Sequence, residues 1–155
     1  MFQYIYDQLS SIKPIWFIQY FLIFFGLILY NKFNTKKIKE VEGSLVQSVD
    51  TIELFNKIIK ENDLVICDFY ATWCGPCVRA APIYANLSKE YPNCKFIKID
   101  VDKNSATSIA QQIKAMPTFK IFKNGNELET IQGFSESNIK SLLDKYYSFT
   151  NKAKN

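Results

Sequence analysis

The stretch Leu64-Val65-Ile66-Cys67-Asp68-Phe69-Tyr70-Ala71-Thr72-Trp73-Cys74-Gly75-Pro76-Cys77 decides how the rest of the chain is read. Its first half, Leu64 to Tyr70, is apolar continuously rather than alternately, the pattern of a central strand covered on both faces. A helical pattern begins with Val78-Arg79-Ala80-Ala81. Two cysteines separated by two residues, at the junction of a strand and a helix, read as a redox pair. If Cys74 starts the helix, its sulfur faces backbone N–H groups with no partner inside the helix, and the dipole there favours negative charge. That environment favours the thiolate, the form that attacks a disulfide. Cys77 shares a helix face with Cys74, so the two sulfurs can come within bonding reach. Pro76 suits a first turn, where an N–H would be unpaired anyway. Gly75 adds no bulk where a substrate disulfide must approach.

The competing reading of the cysteines is half a zinc site. Zinc wants four Cys or His ligands, yet the chain has no histidine and no second CxxC, so Cys67 and Cys94 would have to converge. No metal is expected. Cys67, inside a strand, and Cys94, at a strand entrance, are expected to be small buried hydrophobes. An exposed Cys94 would instead be a second thiol open to oxidation or mixed-disulfide formation. Asp68 interrupts a run expected to be buried, where an unpaired carboxylate is costly and its pKa is pushed upward. Such an aspartate can take and return a proton near neutral pH. The alternative is a carboxylate merely bonded to a neighbour.

Working outward, Leu45 to Val49 is a short strand candidate. Asp50 with Glu53 resembles a capping box opening a helix from Thr51 to about Lys60, with Ile52, Phe55, Ile58 and Ile59 on one face. After the CxxC a helix runs to about Tyr91, and Pro82 should bend it. Cys94 to Val101 is another strand, and Ser105 caps a short helix to about Ile113. Thr118 to Phe122, Asn124-Gly125 and Glu127 to Ile131 form a hairpin. Gly133 and Ser135 lead into a last helix with Ile139, Leu142, Leu143 and Tyr146 inward. The order β-α-β-α-β-α-β-β-α over residues 45–148 implies an α/β fold, a central mixed sheet flanked by helices. Residues 149–155 are expected to form a frayed, disordered tail.

The chain has 155 residues, 48% hydrophobic and 22% charged, an ordinary globular balance, so one domain plus an appendage is expected. Its net charge of +4 lies in the first 39 residues, where Lys13, Lys32, Lys36, Lys37 and Lys39 face only Asp7. The neutral remainder gives no electrostatic case for binding nucleic acid.

Beyond an N-terminal flank (residues 1–14), Ile15 to Tyr30 is uncharged, with Gln19 its one clearly polar side chain. As a helix it would span about 24 Å, short of a hydrocarbon core of roughly 30 Å, and Ile12 to Pro14 would bring it near a full span. Trp16, Tyr20 and Tyr30 suit the membrane interfaces. A core helix would show a polar face. A cleaved signal peptide would be followed soon by small residues, and the basic linker of residues 31–44 follows instead. The expectation is a single-pass transmembrane or signal-anchor helix. Lys32, Lys36, Lys37 and Lys39 follow it and Lys13 precedes it, which by the positive-inside rule puts the larger domain on the cytosolic side.

The motif Asp68-Phe69-Tyr70-Ala71-Thr72-Trp73-Cys74-Gly75-Pro76-Cys77, then Pro82, then Met116-Pro117-Thr118-Phe119 before Asn124-Gly125, closely resembles the thioredoxin family over residues 45 to 148. The resemblance implies that Cys74 attacks and forms the mixed disulfide, that Cys77 resolves it, and that Asp68 assists deprotonation of Cys77. It implies a cis peptide bond at Met116-Pro117, offering extended backbone to the substrate. Trp73, Gly75, Pro76, Met116, Pro117 and Gly133 would contact that substrate. Lys98 aligns with a lysine that approaches the buried aspartate in many members; read by itself it is a snorkelling strand lysine. Tyr70 stands where many bacterial members carry tryptophan, which leaves the chemistry untouched. Val78-Arg79 follows the second cysteine where lysine is frequent, which could change which partners dock.

The expected activity is reduction of protein disulfides at a membrane. Pro76, in place of a histidine between the cysteines, removes a cationic stabiliser of the thiolate and favours reduction over oxidation. The expected partners are disulfide-containing proteins and a thioredoxin reductase as electron donor. The chain carries no nucleotide fingerprint, and no cofactor is expected. Two alternatives keep their place: a secreted or lumenal protein after signal cleavage, serving export or isomerisation of disulfide proteins, and a non-enzymatic docking module in a membrane complex. Retention of both cysteines, Asp68 and Met116-Pro117 argues against docking alone, which needs none of them.

Overall fold

The structure, a computed structural model, describes residues 15–33 and 41–152, with side chains described for 17–30 and 41–147. The chain divides into two units, Met1–Thr35 and Lys36–Asn155. The first contains helix α1 (Ile15–Phe33), and the apolar side chains from Phe17 to Tyr30 are exposed. Phe21 and Phe25, one turn apart, stack with ring centroids 6.1 Å apart. Among the described residues no helix is long and apolar enough to cross a membrane. The flank of residues 1–14 and the linker lysines Lys36, Lys37 and Lys39 lie outside the described residues.

The second unit is built on a five-stranded sheet. Its strands are β1 (Gln47–Ser48), β2 (Leu64–Tyr70), β3 (Lys95–Asp100), β4 (Thr118–Lys123) and β5 (Asn126–Gln132), in the spatial order β1-β3-β2-β4-β5. β3 pairs parallel with β1 and with β2, while β4 pairs antiparallel with β2 and with β5. The mixed sheet expected from the element order is therefore present, and β2 lies at its centre. Leu64 to Phe69 are all buried, as a strand covered on both faces requires.

The period of two distributes those residues to two cores. Leu64 and Ile66 join Phe96, Phe119 and Ile121 beneath α3 (Gly75–Glu90) and α5 (Glu136–Lys152), which contribute Ala80, Tyr84, Leu87, Ile139 and Leu143. Val65, Cys67 and Phe69 join Ile97, Ile99 and Phe122 on the opposite face, under Phe55 and Ile58 of α2 (Ile52–Glu61). A short helix, α4 (Ser105–Ala110), completes the unit. Asp68 shares the pleat side of Ile66 and so points toward α3.

Several boundaries differ from the sequence reading. β1 is shorter than Leu45 to Val49, because the Leu45 N–H donates to the Ser88 hydroxyl, leaving only Gln47 and Ser48 in register with Ile97 and Lys98. Helix α2 is capped by Thr51, whose side chain accepts from the Leu54 N–H, rather than by Asp50. Helix α4 is capped by Asn104, which accepts from the Thr107 N–H while its amide donates to the Val49 carbonyl. Ser105 is its first residue, and Gln112 at φ +54° turns the chain away before Ile113. The hairpin turn is as read: Asn124 and Gly125 both adopt positive φ, 49° and 81°. Helix α3 continues through Pro82 to Glu90, and α5 carries the helix past residue 148 to Lys152.

Candidate active site

Strand β2 ends at Tyr70, and two short bonds fold the chain back over its tip. The Cys74 N–H donates to the Ala71 carbonyl at 3.1 Å, and the Val101 N–H donates to the Tyr70 carbonyl at 2.9 Å. Cys74 caps α3 with extended backbone, and the Cys77 N–H donates to Cys74 Sγ at 3.2 Å. One orphan donor of the helix start is thus aimed at the sulfur. Pro76, in the first turn, forfeits no helical bond. Cys74 and Cys77 are joined by a disulfide, S–S 2.07 Å, in a small cluster with Ala71, flanked by Tyr70, Val101 and Met116. Cys74 is 6% and Cys77 1% exposed, so Cys74 is the more accessible residue of the pair. Gly75 and Pro76 are exposed beside it.

Two loops frame the cysteines. The Met116–Pro117 bond is cis, and Met116 packs on the cysteine cluster. Gly133, at φ +80°, donates its N–H to the Pro117 carbonyl at 2.8 Å, which ties the end of β5 to this loop. A left-handed φ of that size favours glycine. Thr118 secures the other side through a bond to the Ala115 carbonyl at 2.8 Å. Trp73 is 60% exposed, yet its indole N–H donates to Asp102 Oδ2 at 2.8 Å. Asp102 is held by its own N–H, bonded to Asp100 Oδ1 at 3.1 Å. The sequence reading did not include Asp102, which lies 29 residues from Trp73 and follows no spacing rule.

Asp68 is 4% exposed, and its Oδ1 has no hydrogen-bond partner. Burial pushes its carboxyl up to about 7, opposed by the Lys98 ammonium. Lys98 sits directly beside it in the β2–β3 register. The neighbouring Tyr84 hydroxyl is directed elsewhere, at the Ile66 carbonyl (2.9 Å) and the Ile97 carbonyl (3.0 Å). Asp68, Lys98, Tyr70, Tyr84 and Ala81 border one partly open cavity of about 430 Å³. Of the α3 residues on this cavity, Ala81 is the nearest in sequence to Cys77, one helical turn beyond it.

Cys67 and Cys94 are free and buried. Burial pushes the Cys67 thiol well up, and it pushes the Cys94 thiol up to about 12. Both are therefore neutral packing groups, and the reading of Cys94 as an exposed thiol falls away. Among the described residues no group of three or more His, Cys, Asp or Glu could hold a metal ion.

Comparison with known proteins places this geometry. The thioredoxin family model matches residues 46–145. Thioredoxin 1 of Plasmodium falciparum is 46% identical over 102 residues, which is 66% of this chain and 98% of that protein. Thioredoxin-1 of Saccharomyces cerevisiae is 38% identical over 99 residues, 64% of this chain and 96% of its own. The solved structure of the Plasmodium falciparum thioredoxin superposes with a TM-score of 0.63, covering 64% of this chain and 98% of its own. The oxidised mitochondrial thioredoxin 3 of Saccharomyces cerevisiae also gives 0.63 at 33% identity, covering 64% and 94%. With its cysteine pair at disulfide distance on this fold, the chain belongs to the thioredoxin family and is a thiol-disulfide oxidoreductase of that type.

Proposed function

We propose that the protein reduces disulfides in other proteins, with Cys74 as nucleophile and Cys77 as resolving thiol. The Cys74 thiolate attacks one sulfur of a substrate disulfide, forming the Cys74–substrate bond and expelling the other substrate sulfur, which takes up a proton. Cys77 then gives its proton to Asp68 and attacks Cys74 Sγ. The Cys74–Cys77 disulfide forms, and the second substrate sulfur leaves and is protonated. Two electrons pass to the substrate, and a thiol donor, here a thioredoxin reductase, must return them.

The observation that carries this assignment is the capping of α3 by Cys74, with the Cys77 N–H directed at its sulfur. An N–H aimed at a thiolate, together with the helix dipole, stabilises the attacking form. The cavity running from Asp68 to Ala81, one turn from Cys77, supports Asp68 as the proton acceptor, and its carboxyl near 7 suits transfer at neutral pH. Lys98, beside Asp68, keeps part of its charge favourable. The pairing of Gly133 with Pro117, and the exposed Trp73, Gly75 and Pro76, supports these residues with Met116 as the surface that meets substrate. Reduction of insulin disulfides by the full chain with dithiothreitol tests the assignment: Cys74→Ser should abolish it, and surviving activity would refute the dithiol mechanism.

We further propose that α1 tethers the domain to a membrane as a single pass. Although the helix is shorter than a full span, its uncharged run from Ile15 to Tyr30 would extend about 24 Å, and its exposed apolar side chains support a lipid environment. The lysines that follow it favour a cytosolic domain. Carbonate extraction of membranes, with protease protection of a C-terminal tag, checks this. Release into the soluble fraction overturns the tether, and protection of the tag inside sealed vesicles overturns the orientation.

A further inference from the structure

The cavity beside Asp68 has a wall that the sheet and α3 do not supply. It is made by the turn Val41-Glu42-Gly43-Ser44, whose residues border the same space as Asp68 and Lys98. The turn is closed by the Ser44 N–H donating to the Val41 carbonyl at 3.0 Å, with Gly43 at φ +69°. Two residues near the end of α3 hold it in place. Lys89 Nζ donates to the Glu42 carbonyl, and the Lys89 stem lies 3.7 Å from where a Cβ on Gly43 would be. One residue before it, the fully buried Ser88 accepts the Leu45 N–H at 3.0 Å while donating to the Ala85 carbonyl at 2.7 Å.

Everything else around Asp68 is committed. The Tyr84 hydroxyl spends its proton on two strand carbonyls, β4 sets the uncharged Phe119 opposite Asp68, and β3 contributes Lys98. The remaining titratable groups on the cavity are Tyr70, at the end of β2, and Glu42, in the turn itself. The partly open cavity that this turn borders is thus a route by which water and protons can reach the carboxyl from solvent.

We propose that the Val41–Ser44 turn, clamped to α3 by Lys89 and Ser88, governs the hydration of Asp68, which makes Lys89 and Ser88 positioning residues for the proton relay. This inference rests on the relay role given to Asp68 above. Releasing the clamp admits water, relieves the desolvation that raises the carboxyl, and lowers the pH at which it titrates. The clamp thus holds Asp68 in the range where it can both accept a proton from Cys77 and lose it again.

The test is a pH titration of the Asp68 carboxyl by carbon-13 NMR in the reduced full chain in detergent micelles, with the signal assigned by Asp68→Asn. Lys89→Met, and Lys89→Met combined with Ser88→Ala, should lower the titration midpoint by about one unit. Lys89→Arg, which keeps a donor for the Glu42 carbonyl, should restore it. An unchanged midpoint in both Lys89→Met variants overturns the proposal, whatever happens to thermal stability, because a purely structural clamp would lower Tm and leave the carboxyl where it is. Turnover of Asp68→Asn is read separately: if it equals wild type while the midpoint still moves in the clamp variants, the clamp stands and the relay role of Asp68 falls.

Discussion

Asp68 and Lys98 occupy paired positions on the parallel strands β2 and β3, and both border the cavity beneath α3. The pairing is incomplete, since Asp68 Oδ1 has no hydrogen-bond partner and burial outweighs the pull of the lysine. The folded protein therefore binds the Asp68 proton more tightly than the unfolded chain does. Between the unfolded value of 3.8 and the folded value of about 7, the native state holds more protons, so stability falls as pH rises across that window. The loss is on the order of 4 kcal/mol, complete above pH 7 and absent below about pH 4. Asp68→Asn should remove most of this loss. Urea denaturation at pH 4, 6 and 8 should show the variant gaining on wild type steadily, and parallel curves would contradict the burial argument.

The same substitution acts oppositely on rate. Without a carboxylate to take the Cys77 proton, resolution of the mixed disulfide should slow by about tenfold or more near pH 7. The deficit should shrink above about pH 9, where a thiol of ordinary acidity ionises unaided. Stopped-flow fluorescence of Trp73 during oxidation by a model disulfide measures this step directly.

Cys77→Ser should leave the first attack intact and stop the second. Incubated with a disulfide protein, the variant should accumulate a covalent adduct through Cys74 on non-reducing gels. Cys74→Ser should form none, because Cys77 is 1% exposed and cannot be reached from outside.

Asp102 orients Trp73 by a single exposed hydrogen bond. Asp102→Ala should therefore cost less than about 1.5 kcal/mol of stability. It should raise KM for a protein substrate about two- to tenfold while kcat holds, if Trp73 contributes to docking and not to chemistry. A fall in kcat at constant KM would place Asp102 in the chemical step instead.

Tyr84 joins the β2 and β3 carbonyls across the buried face of the sheet. Tyr84→Phe keeps the ring contacts with Phe96 and Phe119 but deletes both bonds. A loss of about 1–2 kcal/mol in denaturant unfolding is expected.

Much of this arrangement could be read in advance, and the reasons are local. The short apolar run of β2, interrupted by Asp68 alone, fitted a doubly covered strand, and Asn124-Gly125 supplied the positive-φ pair that the β4–β5 hairpin needs. The cysteine spacing depends on one turn of helix, which sequence reports well. Helix starts were less legible, because Asp50 and Thr51, or Asn104 and Ser105, are equally good caps until tertiary bonds choose; Asn104 is chosen by its second bond, to Val49. The Trp73–Asp102 bond and the Val41–Ser44 turn were invisible because each is set by contacts between distant segments. Lys89 reaches back 47 residues to Glu42, and no periodicity encodes that.

The sheet's two borders differ from its centre in a way that bears on crowding. One ends in the two-residue β1, and the other in β5, which carries Glu127 and Glu129 and is offset from β4 by a bulge at Ile121–Phe122. A stub offers a visiting strand too few donors and acceptors, and on the other margin the bulge, with Glu127 held by Lys120 and Glu129 by Lys145, interrupts the regular edge that an added strand would need. Many molecules held shoulder to shoulder could thus remain separate, each with its sulfurs free to meet a client and none zipped into a filament.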